Sequence, residues 1–203
     1  MSSENLDFTS KIMTWCLDNI KYLIAGALIG IIIPLSWNYF KHLKTIENLA
    51  ASDLYGDLVN LIESQEDYKS IENLILEEHK NSVYEVLSKF ILSKQEFENN
   101  NYEAAKMHLE DIINIDVNET YNSLAKIKIS LINIQEKKYD DALDILGKVE
   151  STDSFKQVIF ELKGDIYKYK GDKEKSLSFY KKAIESSVID NENLLMKKNS
   201  VKN

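Results

Sequence analysis

At 203 residues the chain holds one domain of ordinary size plus an appendage, and 44% hydrophobic with 29% charged residues argues against wholesale disorder. Six glycines and one proline, Pro34, are too few breakers for a turn-rich all-β fold, so the sequence predicts an all-α protein. The net charge of −8 and the absence of any arginine argue against nucleic-acid binding, which needs a clustered positive field, and leave no guanidinium fork for phosphate.

Residues 1–21 read as an N-terminal tail carrying Glu4, Asp7 and Asp18. Its single cysteine, Cys16, permits no intrachain disulfide and precedes the apolar run, the wrong side for a lipoprotein cleavage site. Residues 22–40, from Tyr22 to Phe40, carry no charge and are bounded by Lys21 and Lys41. As a helix these 19 residues span about 28 Å, close to the roughly 30 Å hydrocarbon core, which predicts a transmembrane helix. Eight of them are Leu or Ile, contributing roughly −2.4 to −4.8 kcal/mol to insertion. Tyr22, Trp37 and Tyr39 fall where an interfacial aromatic belt belongs. The acidic start and the sequence Ser36-Trp37-Asn38 fit no cleaved signal peptide. Pro34 predicts a kink, because it offers no N–H to the carbonyl of Gly30. Gly26 and Gly30, four apart, are candidates for a close helix–helix contact in the bilayer. Lys11 and Lys21 before the span balance Lys41 and Lys44 after it, so charge alone leaves orientation open.

Residues 41–203 predict a helical domain. Leu43, Ile46, Ala50, Leu54, Leu58 and Leu61 recur at helical spacing, so the membrane helix continues to about Glu63. A short helix follows over about Tyr68–Glu78, with Ile71, Leu74 and Ile75 on one face. A turn-like stretch then recurs at Phe97–Ala105, Ile134–Ala142 and Tyr169–Ser176. The small residues Ala105, Ala142 and Ser176 are 37 and 34 residues apart, against a tetratricopeptide period of 34 residues. Three helix–turn–helix units result, over about 86–119, 123–153 and 157–190. Small residues belong where paired helices cross, with Leu109, Ile112, Leu146 and Val149 filling the spaces between. The third unit is nearest the repeat pattern, with Phe160, Gly164, Tyr167, Gly171, Tyr180 and Ala183. The first two carry Ser93 and Ser130 where the third has Gly164. The tail from Asp190 to Asn203, with Leu194-Leu195-Met196, reads as a capping helix whose end frays.

No motif for catalysis emerges: His42, His79 and His108 have no second ligand at metal spacing, and no nucleophile elbow, phosphate loop or dinucleotide fingerprint is present. Cofactor and small-molecule substrate are therefore both expected to be none. Glu77-Glu78 and Asp140-Asp141 read as solvated helix faces. What remains is surface. In the repeat register the first helix of each unit lines a groove, giving candidate partner-binding residues Leu87, Phe90, Lys94 and Phe97 in the first unit. The second unit supplies Leu124, Ile127, Leu131 and Ile134. This mostly apolar groove either holds a partner's apolar segment or is filled by residues 43–78, the second being preferred.

The whole order, with Gly26–Tyr39, Leu162–Asp165 and Lys170–Lys173 as its most telling stretches, resembles the YfgM-type family, the ancillary subunit of the bacterial SecYEG translocon. The resemblance covers nearly the full length and implies a single-pass inner-membrane protein with its N-terminus cytoplasmic and its repeat domain periplasmic. It further implies association with SecYEG and with a membrane-anchored chaperone similar to PpiD, and help for exported client proteins on their way to periplasmic chaperones. The family offers no catalytic residue to carry over. A scaffold for a different envelope complex is the alternative.

Overall fold

The computed structural model describes residues 3–115, 117–149, 153–187 and 191–201. Among these, every regular element is an α-helix. In chain order they are α1 (Ser3–Asp18), α2 (Ile20–Glu63), α3 (Lys69–Glu78), α4 (Val83–Glu98), α5 (Tyr102–Asn114), α6 (Glu119–Gln135), α7 (Tyr139–Gly147), α8 (Asp153–Tyr169), α9 (Lys173–Glu185) and α10 (Glu192–Ser200). The all-α class read from the sequence is the one found. The chain forms two compact units, Met1–Asp53 and Leu54–Asn203.

The first unit holds α1 and most of α2. The segment read as a tail is thus helical from Ser3 to Asp18. Helix α2 runs for 44 residues and continues through Pro34 without interruption. Among the described residues it is the one helix long and apolar enough to cross a membrane. Leu28, Ile32, Ile33, Leu35 and Trp37 are all exposed, so no protein surface covers the run. A helix apolar on every face with nothing packed on it is the arrangement that lipid stabilises and water does not.

The second unit is a stack of helix pairs: α4 with α5, α6 with α7, and α8 with α9. Each pair turns on one residue in the left-handed region, Asn100 (φ 62°), Lys137 (φ 61°) and Gly171 (φ 79°). The hydrogen bonding around it repeats. Asn101 N–H donates to Glu96 C=O (2.8 Å), Lys138 N–H to Asn133 C=O (2.8 Å), and Asp172 N–H to Tyr167 C=O (2.9 Å). These are helix-ending closures that satisfy carbonyls left open by the last turn. Gly171, and less strongly Asn100, advertise this conformation by residue type; Lys137 adopts it because the flanking helices impose it.

The same closure occurs once more, ahead of the units recognised in the sequence. Gln65 has φ 58°, and Glu66 N–H donates to Leu61 C=O at 2.9 Å. The end of α2 and α3 therefore form a further, degenerate helix–turn–helix. Leu58, fully buried, occupies the register where later units carry Ser93, Ser130 and Gly164.

Helix crossing in the other units is close for the reason anticipated. Ala105, Ala142 and Ser176 are fully buried, and the Ser176 hydroxyl donates to the Gly164 carbonyl across the pair at 2.9 Å. Three apolar clusters bind successive units. Leu58, Ile62 and Ile75 pack with Leu92; Val86, Leu109 and Ile112 pack with Ala125 and Ile129; Ile127, Leu146 and Val149 pack with Ile159, Leu162 and Ile166. Each core joins neighbours in the sequence, as a solenoid requires. Helix α10 then closes the far end, with Leu194 wholly buried. The anticipated fraying at Lys202–Asn203 lies outside the described residues, as do residues 150–152 and 188–190 beside the expected unit ends.

Candidate groove between α4 and α6

The first helices of the units, α4, α6 and α8, present equivalent positions along one side of the stack. In α4 these are Phe90, Lys94 and Phe97; in α6, Ile127, Leu131 and Ile134; in α8, Glu161, Asp165 and Lys168. Four of the eight sequence-nominated groove residues, Phe90, Lys94, Phe97 and Leu131, come together around a cavity of about 170 Å³. Ser93, Leu109, Lys128 and Ile132 complete its wall. The other four do not line it. Leu87 and Leu124 are half-buried elsewhere, Ile127 is buried in the core shared with α7 and α8, and Ile134 packs against that same core. Residues 54–78, the part of the segment expected to fill the groove that belongs to the second unit, instead pack on Leu92 and Ile91, and none of them lines the cavity.

The cavity wall is predominantly apolar. Phe97 and Leu131 are 38% and 45% exposed, high values for side chains of this kind beside an intact core. Phe90 is anchored by its ring contact with Tyr121 at 6.4 Å. Two cations edge the opening. Lys128 Nζ lies 5.9 Å from the Phe90 ring centroid, and among the described residues it has no carboxylate within ion-pair range. Lys94 reaches only Glu98, 3.8 Å away along its own helix. Lys128 was missed in the sequence because Ile127, one position earlier, satisfies the apolar pattern. The helical turn directs Lys128 towards the groove and Ile127 into the core.

On α8 two of the equivalent positions are acidic, and all three are bonded to side chains of α10, which packs on α9. Lys197 of α10 donates to Glu161 (2.8 Å) and Asp165 (2.7 Å), and Lys168 donates to Ser200 (2.9 Å). Burial pulls the Lys197 pKa down, but the two carboxylates outweigh it and hold the value above the ordinary lysine range. Asp165 also accepts from the buried Tyr180 hydroxyl at 2.6 Å; burial first, and this bond second, raise the Tyr180 pKa.

A second cluster lies between α8 and α9. Tyr167 stacks on Phe179 at 5.4 Å and Phe160 leans on the same ring at 6.3 Å. Lys163, Lys175 and Lys182 sit over these rings at 5.0–6.0 Å. Burial, then repulsion from Lys182, lowers the Lys163 pKa. Among the described residues no three His, Cys, Asp or Glu side chains gather as a metal site. In the first unit, a Cβ added at Gly26 or Gly30 meets nothing within 4 Å, so that helix face is open.

Residues 13–203 match the family described as a tetratricopeptide repeat-like domain. A protein of Buchnera aphidicola from Acyrthosiphon pisum, named ancillary SecYEG translocon subunit, is 30% identical over 188 residues, covering 91% of this chain and 95% of that protein. The chain belongs to this family. Other members bear the same name: the Haemophilus influenzae protein is 25% identical over 95% of both chains, and the Escherichia coli protein 23% identical over 84% of this chain and 82% of that one. The matches run through the apolar helix and the repeats together, so what this chain shares with the family is the whole architecture, anchor and stack, rather than a repeat module alone.

Proposed function

We propose that this chain is a non-catalytic, membrane-anchored interaction subunit of the bacterial inner membrane that associates with the SecYEG translocon. Full-length membership in a family whose members are named for that complex carries the reading. The groove supports it: an apolar cavity with a cationic edge suits a polypeptide segment. Residues 1–21 form the cytoplasmic tail, 22–40 the membrane span and 41–203 the periplasmic repeat domain. That domain helps pass exported proteins to periplasmic chaperones and works beside a PpiD-like chaperone. Of the eight residues nominated from the sequence, the four that line the cavity, Phe90, Lys94, Phe97 and Leu131, are the partner-binding ones, with Gly26 and Gly30 contacting a neighbouring membrane helix.

Co-purification of the intact chain in mild detergent, read by mass spectrometry, tests this. Recovery of translocon subunits and a periplasmic chaperone is the expected result. Folded protein that recovers neither refutes it. A protease applied from the periplasmic side should digest the repeat domain; protection of that domain overturns the orientation.

A further inference from the structure

We infer that α1 is an interfacial helix: it lies along the bilayer surface from which α2 enters, with Ile12, Met13 and Cys16 sunk among the lipid headgroups and Lys11, Thr14 and Asp18 turned to water. The inference rests on α2 being the membrane span and goes beyond the tail assigned to residues 1–21. A pattern and a break carry it. In the sequence Glu4, Asp7, Lys11, Thr14 and Asp18 recur at alternating spacings of three and four, and they include every charged side chain before Lys21. At about 100° per residue the five fall within an arc of about 80°. In α1 (Ser3–Asp18) Ile12, Met13 and Cys16 take the opposite side, with Trp15 and Leu17 at its two borders. Ile12, Met13, Trp15 and Leu17 are all exposed. One narrow polar stripe beside a wide apolar face is the pattern of helices that lie in a membrane interface.

The break is at Asn19, between the end of α1 and the start of α2. Asn19 closes α1 twice over: its backbone N–H (3.0 Å) and its side-chain amide (2.8 Å) both donate to the Trp15 carbonyl. Its own carbonyl then accepts from the N–H groups of Tyr22 (2.9 Å) and Leu23 (3.1 Å), which starts α2. The interruption thus falls where the charge-free run of residues 22–40 begins. There Lys21 Nζ lies 5.0 Å from the Tyr22 ring centroid, a pairing suited to the headgroup level. A break at this point lets the two helices take different directions. Lipid is the occupant because the apolar face joins the span through that one residue. At 1.5 Å per residue, a straight continuation of α2 would carry Ile12 about 15 Å beyond Tyr22, leaving the apolar face in headgroups and water. Lying flat, the same face stays at the boundary. The stripe opposite has three carboxylates to one lysine, so apolar burial holds the helix and attraction to anionic headgroups does not.

Cys16, the only cysteine of the chain, is the natural reporter. The full chain in phosphatidylcholine nanodiscs is spin-labelled there, and the collision rates of the label with oxygen and with a water-soluble nickel chelate are measured. In a Cys16→Ser background, Lys11→Cys places the label on the polar stripe and Ile29→Cys places it in the span. The oxygen-to-nickel ratio at Cys16 should exceed that at Lys11→Cys by about threefold, as for a face buried about 5–10 Å at the headgroup boundary, and should lie below that at Ile29→Cys. Ile12→Asp with Met13→Asp should bring the Cys16 ratio down to the Lys11→Cys value without changing the melting of the repeat stack, which is a separate unit. Adding phosphatidylglycerol to the lipid should leave the contrast unaltered. Equal ratios at Cys16 and Lys11→Cys overturn the inference, because α1 is then a tail in water or a helix inside the hydrocarbon. A Cys16 label shielded from both reagents overturns it too, since protein then covers that face. So does a contrast that appears only with phosphatidylglycerol. A nickel-accessible Ile29→Cys label refutes the membrane span itself, whereas an oxygen-accessible Ile29→Cys label without contrast across α1 refutes this inference alone.

Discussion

Gly164→Ala is the most informative single substitution in the repeat stack. Gly164 lies inside α8, where alanine by itself stabilises a helix by about 1 kcal/mol relative to glycine. A Cβ there, however, falls 2.7 Å from Cδ1 and Cε1 of Tyr180 and 3.1 Å from its Cγ. Those atoms belong to a rigid ring that is fully buried and tethered through its hydroxyl to Asp165. The ring has no free rotamer to move into, so α8 and α9 must separate by several tenths of an ångström. Overpacking of this kind costs about 1–3 kcal/mol. Gly56→Ala supplies the control, because Gly56 is inside α2 and its Cβ would meet nothing within 4 Å. The control should gain about 1 kcal/mol, while Gly164→Ala combines that gain with the clash. At about 2–4 °C per kcal/mol for a chain of this size, the two variants should differ in Tm by roughly 2–12 °C, Gly164→Ala being the lower. Thermal melts by circular dichroism on the full chain in detergent decide it. Equal shifts in the two variants would falsify the claim that this glycine is required by close approach.

Four further perturbations follow from named contacts. Lys89 is buried and its ammonium lies 2.7 Å from Asp111, so Asp111→Ala should cost about 1–3 kcal/mol by stranding that charge. Lys89→Met, which removes charge and pair together, should stay within about 1 kcal/mol of the parent; equal losses in the two variants contradict this. Burial, then the charge of Lys89, lowers the pKa of His108 below its ordinary 6.5. In the window between the folded value and 6.5 the unfolded chain binds the extra proton, so stability falls as pH drops through it. Denaturant midpoints measured across that window should decline more steeply for the parent than for His108→Gln; parallel profiles refute the assignment. Lys197→Ala breaks two bonds of a partly exposed ion pair, costing about 1 kcal/mol after solvent screening and loosening α10. Amide exchange should accelerate in α10 and leave α4 unchanged; uniform acceleration means the stack is not nearest-neighbour. Gly26→Leu with Gly30→Leu should reduce translocon recovery by blocking close helix approach, and undiminished recovery removes the contact.

The repeat was legible in the sequence where its physics depends on residue type. Small residues at the helix crossings, Ala105, Ala142 and Ser176, have few substitutes, because larger side chains would force the pair apart. Gly171 is visible for a related reason, being the residue that enters the left-handed region without strain. The first helix pair was read as two helices but not as a repeat unit, because neither signal is present. Its turn uses Gln65, and its crossing position holds Leu58, so only the backbone reveals the register. The groove was half legible. Apolar residues on a first helix face either the groove or the next unit, and hydrophobicity is the same in both cases. Ile127 and Leu131 are alike in sequence, but Ile127 is buried against Leu146 and Ile159 while Leu131 is open. Lys128 was invisible for the converse reason: a lysine on an amphipathic helix reads as solvated surface until a neighbouring aromatic ring and cavity are placed beside it.

One consequence of nearest-neighbour packing links stability to function. Because each apolar core joins only adjacent units, the stack can tolerate chemical divergence between its ends so long as every junction is kept. The faces differ in chemistry: the α8 face is acidic and bonded to side chains of α10, whereas the α4–α6 face, inside the stack, is apolar, carries Lys94 and Lys128 at its edge and is open. Closing one end permanently removes the exposed edge that a solenoid must otherwise cap. Leaving the other face open keeps apolar area exposed in water, at a cost of about 25 cal/mol for each Å² that a partner would cover. Phe97 rests on the Tyr102 ring at 5.5 Å, so the fold itself accounts for part of its apolar surface, whereas Leu131, 45% exposed, is the larger share of what a partner would cover.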